Sequence, residues 1–390
     1  MNDAGTKKNV AICTTTIFPM HDFLRAYRQN IAHFGREDHV RVYVAGDNKS
    51  VPGSAEAAAD ATRQGLRTTF MSIREQHDYL KAYPDLDAII PENSDNRRNV
   101  AYLRALEEGA DVIISVDDDN LPLPDVDFVG EHVHVGRQAS LPRAVGHNGW
   151  FNLCGLLLPK DRKLYPRGFP YRHHHPEAGA VEGTVSGRLA INVGLWKNDP
   201  DTDAIGRLYG KPVVECGDGR EVALGSGVRC PINTQNTALS REAMTAYYYI
   251  RMPDDIGGLR LDRFGDIFSG YFVQLCADAV GERIRIGSPI ADHRRNQHNL
   301  LVDLYHELAG IMIIEDMAPL LASVSLPGGS YASAYRALSR EIEEFGEEQE
   351  GFIWRPETKL YFHQVGGYMR IWADVVESLQ PSAASAGWRL

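Results

Sequence analysis

The stretch that decides the fold is DVIISVDDDN, residues 111–120. Its first six residues are almost entirely apolar, which is typical of a parallel strand buried on both faces. Three consecutive aspartates, Asp117, Asp118 and Asp119, follow this strand directly. In open α/β sheets, ligands bind beyond the carboxyl ends of the strands, so we expect a binding site at these aspartates.

The segments before this stretch alternate between strand and helix patterns. Residues 9–16 and 40–44 are short apolar, β-branched runs that predict buried strands. Residues 18–33 and 96–109 carry apolar side chains at helical spacing, and Gly109 suits the end of a helix. This alternation predicts an α/β fold with a mixed, mostly parallel sheet flanked by helices.

The second half of the chain has a different composition. Residues 140–235 are rich in Gly, Pro, His and Arg, which favours substrate-binding loops. Apolar periodicity then returns and predicts a helical C-terminal extension, whose last helix is expected to break at Gly366 and Gly367. The predicted units are a catalytic domain over 1–315, with halves 1–135 and 136–315, an extension over 316–380 and a tail over 381–390.

Composition excludes several classes of function. The 390 residues include 41 Lys and Arg against 52 Asp and Glu, a net charge of −11 that argues against nucleic-acid binding. The five cysteines are widely separated without a CxxC pair, which favours reduced thiols over a zinc site or disulfide framework. No apolar stretch reaches the length of a membrane span, and the first residues lack the apolar core of a signal peptide. We therefore expect a cytoplasmic protein.

The aspartate run predicts a metal site. Three adjacent carboxylates repel one another, and their hard oxygen atoms suit Mg²⁺ or Mn²⁺, ions that often bridge to substrate phosphates. In an extended segment Asp117 and Asp119 point to the same side and Asp118 to the other. An acidic turn that caps the next element is the alternative interpretation.

Several further motifs follow in an order that resembles the reversibly glycosylated polypeptide family, whose plant members act as UDP-arabinopyranose mutases. They are SVDDD with PD over 115–125, RGFPY over 167–171, NVGLWKNDPDTDA over 192–204, RFGDIFSGY over 263–271, and His293 with the Asn-Leu pair at 299–300. The resemblance spans roughly residues 10–315, and the helices from about 320 lie outside it. It implies a GT-A-type glycosyltransferase fold that binds a nucleotide sugar, with UDP as the expected nucleotide.

The resemblance also implies roles for four residues. Asp117 and Asp119 would hold Mn²⁺ or Mg²⁺ on the diphosphate, with His293 as a third ligand or, alternatively, an ordinary hydrogen-bonded histidine. Arg167 matches the family arginine that becomes glycosylated. A protonated arginine is a poor nucleophile, so Arg167 could instead stabilise the separating charges, or form a structural ion pair.

The sugar or acceptor side is expected to involve a second group of residues. Asp262 and Asp266 form an acidic pair in which one member could act as general base, although either could equally cap a helix. Asp201 and Asp203 could contact sugar hydroxyls. Trp196 could be a stacking platform, or a core residue.

The nucleotide side is expected to involve residues at the ends of the first strands. Thr14 and Asp47 end the first and second strands, where GT-A folds bind the uridine or its ribose. Arg97 precedes the helix that leads to the acidic strand and could reach the diphosphate, as could Arg98, although a solvated helix start is an equal interpretation. Asp118 is assigned to this nucleotide-binding group.

The leading hypothesis is a metal-dependent enzyme that cleaves the anomeric bond of a nucleotide sugar. Transfer to an acceptor and a pyranose–furanose mutase reaction through Arg167 both stay open, and we favour transfer; the acceptor is not identified. A non-catalytic nucleotide-sugar-binding subunit is the alternative. Nucleotidyltransferases and dinucleotide dehydrogenases rank lower, because the segment TTTIFPMHD at 14–22 lacks their Gly-rich loop. The apolar C-terminal helices could support assembly of identical chains.

Overall fold

The fold is built on a ten-stranded mixed sheet, seen in a computed structural model. The structure describes residues 8–159, 164–252, 254–295 and 299–380. The predicted tail over 381–390 lies outside the described residues. The strands, numbered in chain order, are β1 Val10–Thr15, β2 Val40–Ala45, β3 Thr68–Met71, β4 Val112–Val116, β5 Asn120–Pro122, β6 Gln138–Ala144, β7 Leu157–Leu158, β8 Val181–Asn198, β9 Cys216–Gly217, β10 Val222–Leu224, β11 Asn236–Ser240, β12 Asp254–Asp255, β13 Arg260–Leu261 and β14 Arg283–His293.

Helices flank this sheet and also form the C-terminal region. They are α1 His21–His33, α2 Ser54–Arg63, α3 Ile73–Leu80, α4 Pro84–Ile89, α5 Arg98–Glu107, α6 Phe128–His132, α7 Ala204–Leu208, α8 Gly265–Ala279, α9 Leu300–Ser323, α10 Tyr331–Glu348 and α11 Pro356–Ser378. The predicted α/β class, with a helix-flanked mixed sheet and a helical C-terminal region, is confirmed.

The first half of the sheet is parallel and brings three strand ends together. Strands β3, β2, β1 and β4 lie side by side in that order. Their apolar residues are buried on both faces, as the near-continuous apolar runs predict. The carboxyl ends at Thr15, Ala45 and Val116 therefore lie along one edge, from which the chain enters the aspartate run.

The second half of the sheet adds antiparallel pairings. Strand β11 lies antiparallel between β4 and β8, and β14 pairs parallel to β8 and antiparallel to β5. Half of the pairings in the described sheet are parallel, a smaller share than we predicted. The antiparallel strands bring residues from distant parts of the chain beside the aspartates.

The segment 140–235 is less loop-like than its composition predicts. It contains β8, an 18-residue strand. Only residues 189–196 of this strand are fully buried, whereas its first half is polar, contains glycine and is partly exposed. No single strand pattern runs through these residues, because the two halves face different environments and differ in composition.

The C-terminal helices share the core of the sheet domain. Tyr335 of α10 and Trp372 of α11 are fully buried in the same hydrophobic cluster as residues of β8 and α8. Helix α11 continues through the two glycines without the predicted break. Gly366 serves close packing instead, since a Cβ there would collide with Glu343 of α10. No helix in the described segments is long and apolar enough to cross a membrane.

Candidate active site

A cavity of about 380 Å³ opens at the carboxyl ends of β1, β2 and β4. Many of the predicted residues line it: Asp47, Arg97, Arg98, Asp117, Asp118, Asp119, Arg167, Asp266 and His293. Residues that the sequence analysis did not single out also line it, including Thr15, Thr16, Phe18, Lys49, Thr234, Gln235, Tyr249, Arg263 and Arg295. The cavity thus combines a carboxylate cluster with several cationic side chains.

Each of the three aspartates has a different partner. Arg98 is buried and donates to the Asp117 carboxylate at 2.7 Å, while Thr16 donates its hydroxyl to Asp118. Burial, together with the neighbouring negative charge of Asp119, raises the pKa of Asp117 although Arg98 opposes the shift. Burial raises the pKa of Asp118 to about 6.

His293 reaches Asp119 because of the strand pairing. In the antiparallel ladder of β5 and β14, His293 lies opposite Asn120. Its Nδ1 is 2.5 Å from the carbonyl oxygen of Asp199, and its Nε2 is 3.4 Å from the Asp119 carboxylate. Burial alone would lower the pKa of His293, but the Asp119 carboxylate raises it above its ordinary value. The carbonyl contact directs Nε2 toward the carboxylate cluster.

The donors at this site fit a hard divalent cation. Asp117 and Asp119 supply carboxylate oxygens and His293 supplies one nitrogen, which is a set that Mn²⁺ accepts. Burial raises the pKa of Asp117 and Asp118, whereas His293 lowers the pKa of Asp119 against the effect of burial; a bound cation would favour the ionised form of all three carboxylates.

A second group of potential metal ligands lies elsewhere. In the described residues, the group whose ligand atoms all lie within 4.8 Å of one another is His147, His175 and Glu177. It lies outside the cavity, its two imidazole rings stack at 3.6 Å, and His175 Nδ1 already accepts the backbone N–H of Glu177. The two imidazoles therefore already serve in ring stacking and in a hydrogen bond to the backbone.

Arg167 is held in a fork of two carboxylates. Its Nε and Nη2 donate to Asp201 at 3.1 and 3.0 Å, and its Nη1 and Nη2 donate to Asp266 at 3.2 and 3.0 Å. Nη1 also donates to the carbonyl oxygen of Arg263. All three side chains are buried. The two carboxylates hold the pKa of Arg167 well above its usual value, against the effect of burial, so the guanidinium is permanently charged.

The local sequence around Arg167 explains this placement. Gly168 has φ +82°, and a Cβ at this position would collide with Ile267 of α8, so only glycine fits. The hydroxyl of Tyr271 donates to the Gly168 carbonyl at 2.9 Å. Asp266 lies in the first turn of α8, where the helix dipole favours a carboxylate.

Four predicted sugar-side residues lie elsewhere than expected. Asp201 is 1% exposed and pairs with Arg167, so it does not face a sugar. Asp203 caps α7 by accepting the Gly206 N–H at 2.7 Å. Trp196 is 1% exposed within β8 and does not line the cavity, which supports the core interpretation. Asp262 does not line the cavity.

The position of Asp262, and that of the nucleotide-side candidate Thr14, have simple physical reasons. The carboxylate of Asp262 is neutralised by Arg260 at 3.2 Å and lies 3.4 Å from His306, so it forms no pair with Asp266. The side chain of Thr14 is buried inside β1, whereas Thr15 and Thr16 line the cavity. Strand β1 ends at Thr15, so Thr14 still lies inside the strand and does not reach the cavity at its carboxyl end.

The nucleotide-side candidates Asp47 and Arg97 also line the cavity. Asp47 follows β2 and accepts the backbone N–H of Ser94 at 3.2 Å. Arg97 immediately precedes α5 and is fully buried. Arg295 follows β14, and its Nη2 donates to Asp303 at 3.4 Å. In the sequence, His293 is followed directly by Arg294 and Arg295, and this pair could have indicated a cationic side chain at the site.

Comparisons with curated proteins find plant relatives over part of the chain. UDP-arabinopyranose mutase 3 of Arabidopsis thaliana is 28% identical over 201 residues, 50% of this chain and 51% of that protein. UDP-arabinopyranose mutase 1 of Oryza sativa subsp. japonica is 25% identical over 227 residues, 57% of this chain and 56% of that protein. The chain thus matches about half the length of these relatives.

Two solved structures, each in complex with a nucleotide sugar, are also similar at low TM-scores. Mannosyltransferase PcManGT from Pyrobaculum calidifontis, in complex with GDP-Man and Mn²⁺, is 11% identical with a TM-score of 0.38, covering 96% of this chain and 75% of that one. S. aureus TarS 1-349, in complex with UDP-GlcNAc, is 11% identical with a TM-score of 0.37, covering 95% and 90%.

The family model described as "Reversibly glycosylated polypeptide" matches residues 165–381. The match begins just before Arg167 and continues through the C-terminal helices, so the expectation that helices from about 320 lie outside the resemblance was wrong. It covers more than half of the chain. The chain therefore belongs to the reversibly glycosylated polypeptide family.

Proposed function

We propose that the protein is a nucleotide-sugar enzyme that cleaves and re-forms the anomeric bond of a UDP-sugar. The observation that carries this proposal is a cavity lined both by Asp117, Asp119 and His293 and by the cationic side chains of Arg97 and Arg295. Such a site suits a ligand with a diphosphate and a sugar. The names of the relatives favour the mutase form of this reaction.

The carboxylate cluster is assigned to metal binding. Asp117, Asp119 and His293 would hold Mn²⁺ or Mg²⁺, which neutralises charge on a departing diphosphate when bound. Arg98 keeps one oxygen of the Asp117 carboxylate in place at 2.7 Å. A carboxylate oxygen has more than one lone pair, so this hydrogen bond leaves acceptor capacity for a cation.

Asp266 is assigned to the sugar side. It is 4% exposed and lines the cavity, while Arg167 holds both of its oxygens. A fixed carboxylate here would stabilise positive charge that develops at the anomeric carbon, or accept a hydroxyl proton from the sugar. Arg167 then acts by orienting Asp266, since all of its donors are used and it stays protonated.

Transfer to an external acceptor is the second candidate. Ile17 and Phe18 line the cavity and are 39% and 47% exposed. An apolar rim of this kind would pack against an acceptor at the mouth of the cavity. A mutase, by contrast, needs only a closed space in which the released sugar changes ring size and returns to UDP.

Calorimetric titration with UDP tests the binding part of the proposal. We expect the wild-type protein to bind UDP in the presence of Mn²⁺ and to lose at least ten-fold in affinity with EDTA. Asp117→Asn and Asp119→Asn should each remove this metal dependence. Asp125→Asn is the matched control, because Asp125 is an exposed aspartate on the same segment and does not line the cavity. Equal affinities with and without Mn²⁺ would contradict the metal assignment.

A further inference from the structure

Arg97 is a fully buried arginine with unused donors in the wall of the cavity. Its Nε and Nη1 have no hydrogen-bond partner, and no ion pair joins it to a carboxylate among the described residues. Its one hydrogen bond joins Nη2 to Nε2 of His77 at 2.9 Å. A buried guanidinium with free donors is costly, so the arrangement calls for a ligand with acceptor oxygens.

His77 connects Arg97 to a carboxylate on the next helix. The imidazole lies on α3, and its Nδ1 is 2.6 Å from Asp87 on α4. When Nδ1–H donates to Asp87, the lone pair on Nε2 accepts from Arg97. Asp87 thus fixes the His77 imidazole, and the imidazole in turn fixes the Arg97 guanidinium.

Glu92 competes for the same nitrogen. Its carboxylate is 2.9 Å from His77 Nε2, while Asn48 donates to its other oxygen at 2.6 Å. A neutral imidazole can accept from Arg97 but repels Glu92. A protonated imidazole donates to Glu92 and Asp87 and then faces Arg97 as a second cation. The two contacts at Nε2 are thus mutually exclusive.

We propose that His77 is a positioning residue that, while neutral, holds Arg97 for the acceptor oxygens of a nucleotide, and that protonation of His77 releases Arg97. This inference rests on the proposed function for its ligand class. On the helix of His77, Asp78 pairs with Arg74 at 3.9 Å and with Lys81 at 2.7 Å, so its charge is largely balanced. Beyond that helix, Asp47 acts on Arg97 together with Asp87 and Glu92.

The consequence is a pH-dependent affinity. Loss of a positioned, charged hydrogen bond corresponds to about a ten-fold loss in affinity. We expect a nucleotide sugar to bind about ten-fold more weakly at pH 5.5 than at pH 8, because a protonated imidazole has no lone pair left to accept from Arg97. UDP-glucose is a suitable probe, since its diphosphate is esterified at both ends and has no titration in this window.

Calorimetry with UDP-glucose and Mn²⁺ on three proteins tests the proposal. His77→Gln retains an acceptor but no titrating proton, so it should bind like the wild type at pH 8 and lose less affinity at pH 5.5. His77→Ala should bind about ten-fold more weakly at pH 8. His363→Gln is the matched control, because His363 is an exposed histidine that lies 4.0 Å from Glu343, away from the cavity. It should reproduce the wild-type profile.

Superimposable profiles of wild type and His77→Gln would overturn the proposal, as would wild-type affinity in a folded His77→Ala protein. Absence of any nucleotide-sugar binding by the wild type would instead overturn the proposed function. In that case, NMR of the His77 imidazole in the wild type and in Arg97→Met still decides the contact. We expect the nitrogen chemical shift of Nε2 at pH 8 to change once Arg97 no longer donates to it, and an unchanged shift would refute the positioning role.

Discussion

Replacing Arg167 by methionine should leave two buried carboxylates without their counter-charge. Asp201 and Asp266 are 1% and 4% exposed, and Arg167 supplies their shared guanidinium. Removing one partner of a buried ion pair costs about 3–5 kcal/mol of folding free energy. We expect the melting temperature of Arg167→Met to fall by about 4–6 °C, measured by calorimetry at pH 7.5, because a chain of this length unfolds with a large entropy change.

The pH dependence of this loss follows from the direction of one pKa shift. Although burial opposes it, Arg167 holds the pKa of Asp201 well below its usual range. A depressed carboxyl pKa contributes stability above the pKa of the unfolded chain, about 4, and this contribution disappears as pH falls through the lower folded value. The stability difference between wild type and Arg167→Met should therefore be largest near neutral pH and shrink below pH 4.

Two further variants make the test specific. Arg172→Met is the matched control: Arg172 is 46% exposed and pairs with Glu315 at 2.9 Å, so its loss should cost less than about 1 kcal/mol. The triple variant Arg167→Met, Asp201→Asn, Asp266→Asn should recover most of the lost stability, because it removes the unpaired charges. It should show no turnover, because it also lacks the sugar-side carboxylate. A wild-type melting temperature for Arg167→Met would refute the reasoning.

Three other predictions test individual residues. In EDTA, Asp118→Asn should raise the melting temperature above pH 6 and have little effect on it below pH 4. The reason is that a carboxyl group with its pKa raised to about 6 destabilises the folded state once it is ionised. Equal effects at both pH values would argue against the shift. Gly168→Ala should cost about 2–4 kcal/mol in a denaturant titration, since its φ is +82° and its Cβ would collide with Ile267; a neutral effect would contradict the close approach. Trp196→Phe should lower the melting temperature but leave UDP affinity within about two-fold, because the indole lies in the core; a larger loss of affinity would restore the stacking interpretation.

The parts of the fold that follow from local patterns were predictable from the sequence. Strands β1, β2 and β4 and helices α1 and α5 are continuous segments whose apolar residues repeat at the period of a strand or helix. The position of the aspartates at a strand end follows from the same local pattern. The cavity lies there because parallel neighbours align their carboxyl ends.

The contacts inside the site were less predictable because they join distant segments. Arg167 meets Asp201 and Asp266 across 34 and 99 residues of chain. Family order suggested that these residues belong to one site, but only the folded chain shows that Asp201 is an ion-pair partner. His77 carried no sequence signal, since its role arises where α3 and α4 pack behind Arg97.

Neighbouring residues of the same type were hard to rank from sequence. Asp201 and Asp203 stand two positions apart, yet one neutralises Arg167 and the other caps a helix. Thr14 is buried in β1, while Thr16 lines the cavity and donates to Asp118. A shift of one or two residues at a strand end decides between core and cavity, and composition does not contain that information.

Incubation of the purified protein with UDP-arabinopyranose and Mn²⁺ tests the central claim most directly. Chromatography of the nucleotide sugars and the intact mass of the protein would be followed together. The account predicts a new UDP-sugar isomer without a stable sugar adduct on Arg167, because that guanidinium stays protonated and paired. A stoichiometric adduct on Arg167 would contradict its positioning role. Neither binding nor conversion of any UDP-sugar would contradict the assignment of the cavity.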